Sequence, residues 1–462
     1  ELFYVGDPYS NRMNTVFKFY QHAWILLSIS SGYILFKWTS QGLPGITTKK
    51  YVNWPIYAAV SLIILSGSYY SAAMLTVKAS DSNHRSFDGL IHLPSEVISA
   101  IKFAEQNISL EPGNQIELSG AKLDSIHLVC KESYKFLNEL KKACLNLGLK
   151  MMSVSFDPFS QLREVPKTPK QRYKIMTKEI PKNGELSLYM MYQTCGTQIN
   201  LDYISEKDFI NKFKLSSFLV PISTAIFANS PIKENKFSGY LSYRSKVWQN
   251  TSRAGLPKIF LEEIDFEKYV DIAINMPLLF VLKNSNYYET EGKTFKDFMD
   301  GKLLKINAKP DITDFKNHLG TIFTEVRLKQ YIEIRSLDTC EWDCHCGGPA
   351  FYTGLLYGSL DEACDIINKW EISEVLNAYI DAPKKGLNTV INNKTILEWG
   401  KIFLNLSKRG LEKRSIKNDS GKNESIFLRS IENILANNKT KADQIIEKFQ
   451  DNNNLDFLYE KT

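Results

Sequence analysis

The chain has 462 residues, 44% of them hydrophobic and 23% charged, with a formal net charge of +6. This balance excludes a mainly disordered chain, and the length allows two or three domains of ordinary size. The charge is too mild to call for nucleic acid, and seven cysteines are too few for a disulfide scaffold.

Residues 1–80 differ from the rest. Trp54 to Val77 carries no charge and is long enough to cross a bilayer as a helix. A second apolar run spans 16–38, with Lys18, Gln21 and His22 at its start. Trp24, Trp38, Tyr51 and Trp54 lie in or near the ends of these runs, where interfacial aromatics collect, and a Gly-Leu-Pro-Gly turn separates them. The pattern predicts a two-helix transmembrane hairpin contacting the membrane through 16–38 and 54–77; a pair of buried core helices is the alternative. Lys37, Lys49 and Lys50 favour a cytoplasmic loop between the spans. Residues 81–106 form a junction in which Val97, Ile98, Ile101 and Phe103 are spaced as on a helix.

From residue 107 onward strands alternate with amphipathic helices, an α+β pattern. A helix is predicted over 123–147, with Ile126, Phe136, Leu137, Leu140 and Ala143 on one face and Asp124 as its cap. Pro158, Pro166 and Pro169 make 158–170 a loop. Further helices are expected at 206–228, broken by Pro221, and at 266–275, 360–380, 394–412 and 424–449.

Three strands carry polar faces. They are Gln115–Ser119, Thr194–Tyr203 and Tyr331–Arg335. Alternation sets Gln115, Glu117 and Ser119 against Ile116 and Leu118. It sets Thr194, Gln198 and Asn200 against Cys195, Ile199 and Leu201, and Glu333 and Arg335 against Ile332 and Ile334. A half-exposed sheet with a wet face would account for the pattern. The content points further: carboxylates and amide oxygens are hard ligands suited to Mg²⁺, and an Arg beside them suits a phosphoryl group in transfer. Cys340, Cys344, His345 and Cys346 crowd into TCEWDCHC, but their spacing is irregular and the second half of a zinc site is missing.

From about residue 107 the chain resembles glutamate–cysteine ligase of the plant and proteobacterial type. The resemblance is carried by ISLEPGNQIELSGAKLDSIH (108–127), PKQRYKIM (169–176), TCGTQINLDY (194–203), PISTAIFANSP (221–231), GYLSYRSKVW (239–248), FTEVRLKQYIEIRSLD (323–338) and PAFYTGLLY (349–357). It implies a glutamine-synthetase-like antiparallel sheet funnel surrounded by helices. It also implies ATP-dependent ligation of L-glutamate to L-cysteine through γ-glutamyl phosphate, with Mg²⁺ and ATP. On matching positions, Glu117, Glu333 and Glu111 would ligate the metal. Gln198, Asn200 and Thr194 would face the substrates, Arg335 would meet the transferred phosphoryl, and Arg244 would hold the glutamate carboxylate. Lys170, Arg172 and Tyr173 sit in a matching motif, and Cys130 and Cys346 match the positions of a redox-sensitive disulfide.

The segment Arg12–Lys18 resembles part of an uncharacterised family of prokaryotic multi-span membrane proteins. The combined reading is a membrane-associated enzyme: the small charge bias would put its catalytic part outside, but the need for ATP outweighs it and puts that part in the cytoplasm. Members of the ligase family open with an Ile-Gly-x-Glu-x-Glu strand whose acids help bind metal. Residues 81–106 contain no such sequence, so the catalytic domain is expected to lack its first strand and to be weakly active. A related glutamate–amine ligase and a noncatalytic membrane-anchored fusion are the other readings.

Overall fold

A computed structural model describes residues 100–459 apart from 104–105, 285, 307 and 453. The chain divides into two compact units, Glu1–Pro94 and Ser95–Thr462. The expected hairpin, with its runs at 16–38 and 54–77, lies outside the described residues. Among those described, no helix is long and apolar enough to cross a membrane.

The second unit mixes helices and strands. It opens with β1 (Ala100–Phe103), β2 (Gln106–Leu110) and β3 (Ile116–Ser119), an antiparallel sheet in that order. The helical reading of this part of the junction is therefore corrected. Ile101 pairs with Ile108, and Phe103 with Gln106, so cross-strand pairing overrides a weak helical spacing. Among the described residues, β-structure is thus already present upstream of residue 107, on a strand, AIKF, that carries no carboxylate.

Helix α1 (Ile126–Asn146) is capped by Ser125, whose hydroxyl accepts from the Leu128 amide at 3.2 Å, rather than by Asp124. Next come α2 (Gln171–Glu179), α3 (Ser187–Gln193) and β4 (Thr197–Leu201). The expected 206–228 helix is two helices, α4 (Glu206–Phe218) and α5 (Val220–Ile226), the second with Pro221 in its first turn, where no amide partner is needed. After α6 (Tyr243–Gln249) come β5 (Val326–Leu328) and β6 (Ile332–Leu337). These join β4 in a second antiparallel sheet, ordered β5–β6–β4.

The C-terminal part is largely helical, with α7 (Gly347–Thr353), α8 (Ile372–Lys385) and α9 (Ile396–Arg414). The apolar faces of β4, β5 and β6 pack into one core with α4, α5, α7 and α9, through Ile199, Val326, Ile334, Phe213, Ile226, Phe351 and Phe403. At the centre α9 lies against Gly354–Gly358, where a Cβ on Gly410 would stand 1.9 Å from the Gly354 carbonyl oxygen. Only glycine permits that approach. With its apolar side sealed in the core, the second sheet turns its polar side toward the first sheet and α6.

Candidate active site

The register of the second sheet sets Arg327 opposite Glu333 and Glu333 opposite Asn200. Residues paired across strands share a face, and alternation adds Gln198, Arg335 and Glu325. Gln198 and Asn200 are exposed, whereas Glu325, Arg327, Glu333 and Arg335 are buried. Glu333 meets three cations: Arg327 at 2.5 Å, Arg335 at 2.9 Å and Lys329 at 3.3 Å. Burial alone would raise its pKa. Arg335, Arg327 and Lys329 outweigh burial and bring it down to about 2.

Arg244 comes from the first turn of α6. Ser242 caps this helix by accepting from the Ser245 amide and donates to Asp338 at 3.0 Å. Asp338 also accepts from Ser230 at 2.7 Å and from the Asn229 amide at 2.8 Å. Arg244 donates to the Arg335 carbonyl at 2.7 Å, and its guanidinium lies 3.9 Å from Asp338. One turn along α6, Trp248 presents its ring to both cations, at 4.7 Å from Arg244 and 5.0 Å from Arg335. A Cβ at residue 196 would lie 2.6 Å from the Arg244 guanidinium. Gly196 in TCGTQ therefore leaves room for that side chain.

The first sheet brings the acids. Gln115 donates to the Met191 and Thr194 carbonyls at 3.3 and 3.2 Å, tying the β2–β3 turn to the end of α3. Glu117 is pushed above its ordinary pKa by burial and then by Glu111, with Arg335 opposing. These groups, and Glu333, thus lie within electrostatic reach of one another. Tyr173 donates to Glu111 at 3.4 Å and receives a hydrogen bond from Arg172 at 2.9 Å, while Lys170 holds the Leu110 carbonyl at 3.0 Å. The Lys170–Tyr173 motif is therefore a brace behind the β2–β3 acids. Thr194 sits apart from this face, three residues before β4. Its hydroxyl donates to the Met190 carbonyl at 2.6 Å and closes α3.

Among the described residues, no group of three or more His, Cys, Asp or Glu surrounds one point as metal ligands would. Glu333 meets Arg327, Arg335 and Lys329, with Arg327 opposite it in the strand register. Glu111 and Glu117 do fit a divalent ion: they are neighbouring acids whose mutual repulsion a cation would relieve. Mg²⁺ commonly takes only one or two carboxylates, with water and phosphate oxygens completing its shell.

Cys130 and Cys346 form a disulfide with Cα atoms 6.0 Å apart. Cys340 and Cys344 form a second, at 5.8 Å, which was not expected. The sequence reading also passed over Glu325, Arg327, Asp338 and Trp248. The i, i+2 alternation of Glu325, Arg327 and Lys329 in TEVRLK was the available signal for the first two.

A family model described as glutamate-cysteine ligase family 2 matches residues 74–461, and one described as an uncharacterized membrane protein matches residues 1–27. Glutamate–cysteine ligase B, chloroplastic, of Oryza sativa subsp. japonica is 41% identical over 359 residues, covering 76% of this chain and 71% of that protein. The chloroplastic ligase of Solanum lycopersicum is 40% identical over 369 residues, 79% and 69% of the two chains. That of Arabidopsis thaliana is 38% identical over 363 residues, 77% and 68%. Among solved structures, the Pup ligase PafA with ADP gives a TM-score of 0.34 at 10% identity, over 78% of this chain and 68% of that one, a likeness too low to support any inference.

Proposed function

The chain belongs to glutamate–cysteine ligase family 2, and from that premise we propose that it joins the γ-carboxylate of L-glutamate to the amine of L-cysteine with ATP. In that reaction the γ-carboxylate oxygen attacks the terminal phosphorus of ATP, and ADP leaves. The cysteine amine then attacks the γ-carbonyl carbon of γ-glutamyl phosphate, losing a proton as phosphate departs. Two anionic substrates must meet, so the site has to screen negative charge in both steps.

The observation that carries this reading is the pair of buried guanidiniums on Trp248, one of which, Arg335, lies within electrostatic reach of Glu117 on the neighbouring sheet. Arg335, held by Glu333, is suited to the phosphoryl in transfer. Arg244 is suited to a substrate carboxylate. Gln198 and Asn200 are exposed amides at the edge of the same face and are available to bind substrate. Glu111 and Glu117 would hold Mg²⁺, which when bound neutralises phosphate charge.

A glutamine-synthetase-like funnel built from the two sheets belongs to the same proposal. So does membrane association through 16–38 and 54–77, which rests on the apolar character of those runs alone, with the catalytic part on the cytoplasmic side where ATP is found. Family membership favours the ligase over a noncatalytic fusion.

The test is phosphate release by the purified chain with ATP, glutamate and cysteine, each omitted in turn, with the product identified by mass. Release dependent on all three, with γ-glutamylcysteine formed, is expected. Release that ignores cysteine, or no release, overturns the reading.

A further inference from the structure

Four charged side-chain atoms on this polar face are buried without a hydrogen-bond partner: Glu325 Oε2, Arg244 Nε and Nη1, and Arg335 Nε. Such groups are rare, and several in one place call for an explanation. Glu325 is 0% exposed and Arg244 2%. The other Glu325 oxygen accepts from Tyr379 at 3.1 Å, and its backbone is fixed on both sides, to Gly255 and to the Arg335 amide. The carboxylate is thus anchored by one oxygen and leaves the other unused. Glu325 and Arg244 feel each other's charge, yet no ion pair joins them among the described residues.

One anionic and one cationic group with free valences, held by rigid elements on the same face, are complementary to an α-amino acid, which carries a carboxylate and an ammonium on one carbon. Both substrates of the proposed reaction are α-amino acids. The cysteine amine must attack as a free base, and a carboxylate holding it as ammonium would oppose that. The ammonium of glutamate takes no part in the chemistry and can be clamped throughout. Resting on the ligase reading above, we propose that Glu325 binds the α-ammonium of glutamate while Arg244 holds its α-carboxylate. The γ-carboxylate is then directed toward Arg335. Glu325 is thereby the residue that selects an amino acid over a plain dicarboxylate. A site built to bond a substrate N–H group rejects the analogue lacking it strongly, because its own buried polar atom is then left unpaired.

Glutarate is glutamate without the α-amino group. The experiment compares kcat/KM for the two by ATP-dependent phosphate release, with cysteine and ATP fixed, in the full chain and in Glu325→Gln. The unaltered chain is expected to favour glutamate by about a hundredfold or more. Glu325→Gln should raise KM for glutamate at least about tenfold and leave glutarate turnover and the KM values for cysteine and ATP within about twofold, so that the ratio collapses. Tyr379→Phe keeps the carboxylate and frees its anchored oxygen, and should lower the ratio in part. It also decides the matter if Glu325→Gln fails to fold. An unchanged ratio, with both substrates declining together, overturns the assignment and leaves Glu325 a structural residue. Absence of any glutamate-dependent turnover in the unaltered chain overturns the ligase reading and this inference with it. Glutamate turnover with a ratio the variants do not move overturns this inference alone.

Discussion

Glu333 sits at the centre of a cluster of cations. It is 2% exposed and meets Arg327, Lys329 and Arg335 at once. Glu333→Gln keeps the volume, removes the charge, and leaves three neighbouring cations without their counter-ion. Unfolding in urea should show a loss of about 3–5 kcal/mol, the range for a broken buried pair. The phosphate-release rate should fall about a hundredfold because Arg335 loses its holder. Glu117→Gln should instead raise the Mg²⁺ concentration for half-maximal rate by about tenfold or more, with little change in stability. A Mg²⁺ requirement moved equally by both substitutions would return Glu333 to the metal set.

His318 gives a second test at this scale. Burial, with a smaller push from Arg253, lowers its pKa from 6.5 to about 4, against the opposing bond to the Ala273 carbonyl at 2.7 Å. The unfolded chain therefore takes up the proton first. The stability from neutral His318 is complete above pH 6.5 and is lost as pH falls toward 4. The loss reaches up to about 3 kcal/mol. His318→Gln retains a donor for Ala273 and should flatten the fall in melting temperature across that window.

Among the helices, α1 is lightly secured for its length. Only Ile126 of its residues is buried, and Leu145 is 56% exposed. It is held at its first turn by Glu424, which accepts from the Ile126 amide at 2.7 Å, and by the His127–Phe427 and Tyr134–Trp342 ring contacts. The Cys130–Cys346 disulfide closes a separation of 216 residues. Cys130→Ser should lower stability by about 2–4 kcal/mol, as removal of a long-range bridge does. It should also speed protease cleavage within 126–146, because few apolar contacts would then keep the helix docked. Cleavage at the rate of the unaltered oxidised chain would show that the first-turn contacts are enough.

At the scale of the molecule, Ser95–Thr462 is a compact unit with its own core. A chain starting at residue 95 should keep the far-ultraviolet circular dichroism and cooperative melting of that core. It should remain in the aqueous phase on centrifugation with lipid vesicles, while the full chain sediments with them through 16–38 and 54–77. Cosedimentation of both chains, or of neither, would remove the membrane assignment.

The sequence by itself determined that Gln198 shares a face with Asn200 and Glu333 with Arg335, because alternation is a local property of extended backbone; Thr194 falls outside β4 and escapes that rule. The break at Pro221 was legible for the same kind of reason, since proline lacks the amide a helix interior needs. The motif blocks also sufficed to identify the family. Tertiary structure decided what those faces meet. The register between β5 and β6 places Arg327 opposite Glu333, and this sets Glu333 at the centre of an ion cluster that alternation alone does not show. Arg244 reaches the carbonyl of a residue 91 positions away, and Tyr379 of α8 anchors Glu325 across 54. Burial and partner choice at such sites depend on how strands and helices from distant parts of the chain pack together, which no local periodicity records.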